Sequence, residues 1–371
     1  MKKSLILIIA LLILDSCVDR ILFSIPDDYA RIFVVEGSIT NEPGPYTVKI
    51  SKAIKVDDSR PLGVAASVKK ITLFNNLGQS EELQEKEIGT YQTRADGMQG
   101  VIGNEYYIRI ETLDGNTFES VPEKIYPVGE IDSLYYQFET IQPTDEPTEY
   151  GYRVFVDAHN VPGDNNYIRW RFSGIFIANT EPQYKICPVN PPYECNYCPL
   201  PCSGALVGGQ ACTCCRCWVT QYEDKPTVND NQIVSQGKYA AVEVGYVPVN
   251  YYSFMEKYRV QVEQMSLSEN AYNYWSAVRN QKDAINSLFQ PITGQIKTNI
   301  SEKNQAAGIQ GIFYAAAISK KQLYLYPGTN KVYISPPKDC KLTPREGPVG
   351  ESCLLAFPGF GTSTEPPSDW R

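Results

Sequence analysis

From Arg31 to Tyr326 the chain is written mostly in short alternating runs of apolar and polar residues. A period of two marks strands with one buried and one wet face. Arg31–Thr40 and Tyr46–Ser51 flank Asn41-Glu42-Pro43-Gly44, two β-rich runs around a Pro-Gly turn, which predicts a hairpin. Further runs follow at Ala66–Asn75, Gly89–Thr93, Glu105–Thr112 and Thr117–Val121, the last pair joined by an Asp114-Gly115 turn. Strands at this spacing predict an immunoglobulin-like β-sandwich over residues 28–128. Pro122, Pro127 and Gly129 then mark a boundary. A second β series covers Ile131–Phe138, Tyr152–Asp157, Asn166–Phe172, Tyr258–Glu263, Gly311–Ile318 and Gln322–Tyr326. The expected fold is mainly β, with a larger β-sandwich domain over 129–371 carrying one amphipathic helix and a disulfide-rich loop at 183–217.

The helix is expected after Ser266. Ser266 and Glu269 have capping-box spacing, and Leu267, Ala271, Tyr274, Trp275 and Val278 recur at helical intervals, a face suited to packing on the second sheet.

The N-terminus breaks the rhythm. Lys2 and Lys3 precede an unbroken apolar run, Leu5–Leu14, and then Asp15-Ser16-Cys17. Ten apolar residues in a helix cover about 15 Å, half of a ~30 Å hydrocarbon core, so the run reads as the core of a signal peptide. With Leu14 and Ser16 before it, Cys17 resembles the lipidated cysteine of a bacterial lipobox, although Asp15 departs from the usual small or apolar residue. Residues 1–16 are thus expected to be removed, and 17–27 to form a lipidated tether whose chains hold the protein on a membrane.

Composition narrows the function classes. Apolar residues make up 43% and charged residues 20% of the chain, with 26 tyrosines, 26 glycines and 26 prolines, a globular, turn-rich β composition. Net charge is -8, and loss of the leader leaves 32 basic and 41 acidic side chains. With no basic run, nucleic acid is not an expected partner.

Beyond Cys17, ten cysteines remain. Cys187, Cys195, Cys198, Cys202, Cys212, Cys214, Cys215 and Cys217 are crowded together, and Cys340 and Cys353 lie far along the chain. The Cys195/Cys198 spacing would also suit zinc, but no histidine is near and the chain reads as exported, where disulfides persist. The expectation is disulfides throughout, no metal and no cofactor, with Cys340 and Cys353 closing a loop on each other. Tyr184, Tyr193 and Tyr197 sit in the cysteine loop and are candidate contacts to a ligand or partner, or covers for the disulfides.

Catalytic chemistry finds little to build on. His159 is the single histidine and no G-x-S-x-G motif accompanies it, so it is read as a turn residue. Asp157, Asn160, Asp164 and Asn165 lack calcium-loop spacing and read as Asx-turn chemistry. No catalytic residue is assigned, although paired carboxylates that meet only in three dimensions stay open as a rival.

Several pieces, in order, resemble one family. They are Val34–Thr40 with Gly44–Ile50, Cys217-Trp218, Tyr258–Val262, Ala271–Trp275, Ser287-Leu-Phe289, Gly311–Ala317 and Pro366–Trp370. Together they are similar to the Bacteroidota lipoproteins grouped as domain-of-unknown-function family four-two-four-nine. That resemblance implies an outer-membrane lipoprotein, lipid-anchored, serving as a non-enzymatic binding or accessory partner of a TonB-dependent receptor in ligand capture or uptake. An exported hydrolase using paired carboxylates, or a structural accessory of an envelope complex, are the alternatives.

Overall fold

A computed structural model describes residues 32–53, 64–142, 148–161, 166–179, 216–229, 237–250, 252–285, 296–302, 308–328, 353–354, 356–357, 359–367 and 369–370. The first series of strands is β1 (Phe33–Thr40), β2 (Thr47–Lys52), β3 (Val64–Ala65), β4 (Lys70–Asn75), β5 (Ser80–Glu82), β6 (Gln84–Glu87), β7 (Thr90–Gln92), β8 (Glu105–Glu111), β9 (Thr117–Ser120) and β10 (Glu123–Lys124). The second begins with β11 (Ile131–Ile141), β12 (Glu149–His159), β13 (Ile168–Asn179), β14 (Arg216–Tyr222), β15 (Thr227–Val228), β16 (Lys238–Pro248) and β17 (Tyr258–Ser266). A helix, Glu269–Ile285, then leads to β18 (Ile300–Glu302), β19 (Ile309–Ala316), β20 (Ile318–Leu325) and β21 (Gly361–Ser363).

The fold is mainly β, as the alternation predicts, and its strands form two sandwiches. In the first, a sheet ordered β19-β1-β2-β7-β6 faces one ordered β18-β9-β8-β4-β5. Its core is made by the inward halves of the alternating strands: Val35 and Ile39 of β1, Val48 and Ile50 of β2, Tyr106, Ile108 and Ile110 of β8. In the second, a three-stranded sheet β11-β12-β16 covers a sheet ordered β20-β17-β13-β14-β21. Trp170 and Phe172 of β13 and Val260 and Val262 of β17 fill that core, each at most 1% exposed. Burying one such side chain is worth roughly 1.5–3 kcal/mol, so both layers are well driven.

One arrangement runs against chain order. Residues 129–371 were expected to build only the second sandwich, yet β18 pairs with β9 and β19 lies parallel to β1, with Phe33 opposite Ile309 and Thr40 opposite Ala316. Phe313 and Ala315 point into the first core. Ile312, Tyr314 and Ala316 point the other way, into a third apolar cluster with Met265, Leu267 and Ala271. Both faces of β19 are covered, which explains the continuous apolar run at 311–318 in place of alternation. Gly311 is required there: its φ is +95°, and a Cβ on it would lie 1.9 Å from the Val35 carbonyl oxygen.

The helix also differs from expectation. Its cap is Ser268, whose Oγ accepts from the Ala271 N–H at 3.1 Å. Ser266, two residues earlier, is the last residue of β17 and instead donates to the Tyr126 carbonyl at 2.6 Å. The capped face packs on β19 and β15, not on the second sheet alone. The helix is therefore wedged between the two sandwiches. Gln264 adds a polar rivet at the same junction, its Nε2 donating to the Gly129 carbonyl at 2.8 Å and its Oε1 accepting from Trp170 Nε1 at 2.8 Å.

The cysteine pairing is a correction too. Cys353 is bonded to Cys217, 136 residues away, and not to Cys340. The link anchors the C-terminal segment to β14, beside β21, which pairs with β14 in the same sheet. The tail ends on the outer face of that sheet, where Arg259 Nη1 donates to Asp369 Oδ1 at 2.5 Å and Lys257 lies 4.8 Å from the Trp370 ring centre.

Candidate functional site

Alternation in a sandwich strand leaves every second residue outside, and the fold brings two such outer faces together. In β13, Ile168, Trp170 and Phe172 face the second core, so Arg169, Arg171 and Ser173 face away from it. In β1 and β2 the outward residues include Glu36, Ser38 and Lys49. With the helix as a side wall, these faces enclose a cleft of about 640 Å³ lined by Arg169, Arg171, Glu223, Glu263, Trp275 and Tyr222 among others. A second lobe of about 340 Å³ continues toward the hairpin of β1 and β2 and shares Glu36, Lys49, Arg171, Glu263 and Tyr314.

The floor of the cleft is two guanidinium–carboxylate pairs. Arg169 Nη2 donates to Glu223 Oε1 in a close contact, with only 5% and 12% of the two side chains exposed. The Arg169 guanidinium also lies 3.7 Å from the ring centre of Trp275, a stacked cation–π contact that orients it. Burial pushes the Glu223 carboxyl above the usual carboxylate range, and the Arg169 charge partly offsets this. Next to it, Arg171 Nε donates to Glu263 Oε2 at 2.7 Å. Glu263 is also reached by Lys320 Nζ at 3.4 Å, and Lys320 touches Glu42 of the first sandwich. Trp275 meets Tyr314 edge-on, with ring centres 6.0 Å apart, and closes the inner end. At the mouth Tyr222 is 61% exposed. Exposed pairs hold the helix over the cleft: Lys282 with Asp224 at 3.3 Å and Lys225 with Asp283 at 2.7 Å.

The residues singled out from sequence fall elsewhere. Cys17, Cys187, Cys195, Cys198, Cys202, Cys212, Cys214, Cys215 and Cys340 lie outside the described residues, as do Tyr184, Tyr193 and Tyr197. Cys217 and Cys353 are buried in the second core. His159 ends β12 on the surface, its Nδ1 2.8 Å from Asp132 Oδ1, far in role from any nucleophile. Asp157 does turn chemistry of a kind, but across strands: the Ala241 N–H, at a left-handed φ of 52°, donates to its Oδ1 at 2.8 Å, and that bond first and Ser133 second lower its pKa.

The family model described as a domain of unknown function (DUF4249) matches residues 18–322. The chain belongs to this family. Among proteins of curated function, none matches it. The DUF4249 stretch starts one residue after Cys17 and takes in the first sandwich, the helix, every residue of the cleft floor and the second sandwich as far as β20, leaving out β21. The segment that carries Cys353 and Pro366–Trp370 lies beyond it.

Of the cleft-lining residues, Trp275 and Val278 were singled out from sequence, and then as core packing. Arg169 and Arg171 had a signal available, two arginines flanking Trp170 in an otherwise apolar strand. That pattern is equally the mark of an ordinary wet strand face, and only the opposing sheet makes it a site.

Proposed function

We propose that this DUF4249 chain is an outer-membrane lipoprotein, anchored through Cys17, that binds a ligand in the cleft between its sandwiches and assists a TonB-dependent receptor in capturing or importing it. The observation that carries the reading is the pairing of the cleft carboxylates. Glu223 and Glu263 are each held by a guanidinium, Arg169 and Arg171 respectively. A glycoside hydrolase needs one carboxyl as acid and another free as base or nucleophile, at a set separation across the bond. Two carboxylates each bound to their own arginine are built to hold a shape, and favour a binding surface over a hydrolytic one. A cleft at a domain junction is also where small-molecule sites concentrate. The lipobox supplies the membrane anchor, and the family resemblance supplies the receptor.

The test is cross-linking in intact cells, followed by affinity purification of the tagged chain from solubilised outer membrane. A receptor barrel should co-purify in fixed proportion. Its absence from the cross-linked material, or turnover of a polysaccharide by the purified chain, would overturn the reading.

A further inference from the structure

The charges around the cleft cancel. Across both lobes the lining carries five acidic side chains, Glu36, Glu42, Glu223, Asp224 and Glu263, and five basic ones, Lys49, Arg169, Arg171, Lys282 and Lys320. This balance stands out in a chain of net charge -8. Eight of the ten are engaged: Arg169 with Glu223, Arg171 and Lys320 with Glu263, Lys320 with Glu42, Lys282 with Asp224. The remaining two, Glu36 and Lys49, sit directly opposite each other in the β1–β2 register.

From this geometry we propose that the cleft takes a neutral, polyhydroxylated ligand, an oligosaccharide. The inference rests on the reading of the cleft as a binding site and names what it binds. On the cleft floor an anionic ligand such as a phosphate or acidic sugar would have to draw Arg169 or Arg171 away from a carboxylate. The deserted, largely buried Glu223 would then lose its direct partner, at a cost that one new pair does not readily return, whereas Glu263 would keep only the looser Lys320 contact. A cationic ligand meets the same difficulty with the signs reversed. Hydroxyl groups do not, because each both donates and accepts. A guanidinium beside a carboxylate offers them N–H donors and carboxylate lone pairs within one plane, without breaking the pair.

The apolar side of a sugar ring also has surfaces to meet. Tyr222, 61% exposed, presents a ring to the cleft, and Trp275 and Val278 of the helix line the same cleft. A volume of about 640 Å³ lies within the range of ~300–1,000 Å³ typical of small-molecule sites. The ion pairs are fixed before the ligand arrives, so little ordering entropy is left to lose on binding.

The test uses the full chain, solubilised in detergent, on an array of neutral and anionic oligosaccharides, with hits titrated calorimetrically. Neutral oligosaccharides should bind, and their affinity should change less than about twofold between about 50 and about 500 mM NaCl, because no net charge is exchanged. Tyr222→Ala should weaken binding about tenfold, whereas Tyr222→Phe keeps the ring and most of the affinity. Tyr222 is exposed, so both variants should melt with the parent, and circular dichroism checks that they do. Binding confined to anionic sugars, no binding to any neutral sugar, or full affinity in Tyr222→Ala would each overturn the proposal. Loss of the sugar with the receptor still co-purifying removes this inference and leaves the accessory role. Sugar binding without a receptor does the reverse.

Discussion

Cys217 and Cys353 are joined although 136 residues lie between them, with Cα atoms 5.8 Å apart and both side chains fully buried. The bond ties a segment beyond the family match to β14 in the second core. A cross-link closing so long a loop typically stabilises by about 2–4 kcal/mol, chiefly by restricting the unfolded chain. Cys353→Ser should therefore lower the urea midpoint to match that loss, and parent protein treated with reductant should fall to the same value. A variant that unfolds with the parent would show that the link does not stabilise the fold.

Arg169 and Glu223 form the most buried ion pair of the cleft, and neither tolerates loss of the other. Arg169→Met should destabilise the chain by about 3–5 kcal/mol, because it strands a buried carboxylate. The double variant Arg169→Met with Glu223→Leu should recover most of that loss. Denaturant unfolding of the two singles and the double completes the cycle, and additive losses would show that the residues are not coupled.

Glu123 is 1% exposed at the junction, where it accepts from Ser268 Oγ, from Asn299 Nδ2 at 3.0 Å and from Asn270 Nδ2 at 3.4 Å. Burial raises its pKa, and the three donors oppose this only in part. The folded state therefore holds the proton more tightly than the unfolded chain. The resulting stability is full below the ordinary Glu value of about 4.3 and is lost as pH rises through the folded value. In Glu123→Gln that component should vanish, so parent and variant should diverge as pH climbs from about 4 toward neutrality, the parent falling relative to the variant. Glu123→Leu takes the carboxylate acceptor away from Ser268 and Asn299 and should cost about 1–3 kcal/mol at low pH, a loss that shrinks relative to the parent as pH rises. Parallel stability curves for parent and Glu123→Gln would refute the linkage.

The cysteine loop lies between strands that already meet. Asn179 at the end of β13 is directly opposite Arg216 at the start of β14. Replacing the intervening residues with a short Gly-Ser linker closes a hairpin the sheet has set up, and keeps Cys217 with its bond to Cys353. The melting temperature should stay within a few degrees of the parent, while receptor or ligand binding should weaken if Tyr184, Tyr193 and Tyr197 are contacts. Scanning calorimetry decides the first point: an unfolded second sandwich would make the loop structural.

Cys17→Ala should abolish labelled palmitate incorporation and release the chain from the outer-membrane fraction, or leave it as uncleaved precursor. Retention of label in this variant would place the lipid elsewhere.

The strands were legible because alternation is a local signal. Val35, Ile39 and Ile108 are buried where a period of two puts them, and nothing distant is needed to say so. The apolar run at 311–318 was legible as a strand but not as a member of the first sandwich. A strand covered on both faces carries no mark of which neighbour covers it. Ser266 misled for a related reason: its spacing to Glu269 fits a capping box, but β17 runs through Ser266 and takes its hydroxyl to Tyr126.

What the sequence alone determined is thus the mainly β class, the existence of the helix and the membership of the family. Each depends on residues close together in the chain. The closing of the first sandwich by β18 and β19, the partner of Cys353 and the cleft with its arginine–carboxylate floor were decided only by tertiary structure. They join positions distant in the chain, from 54 residues for Arg169 and Glu223 to 276 for Phe33 and Ile309, and such contacts follow from which surfaces leave water together, a property no local pattern encodes.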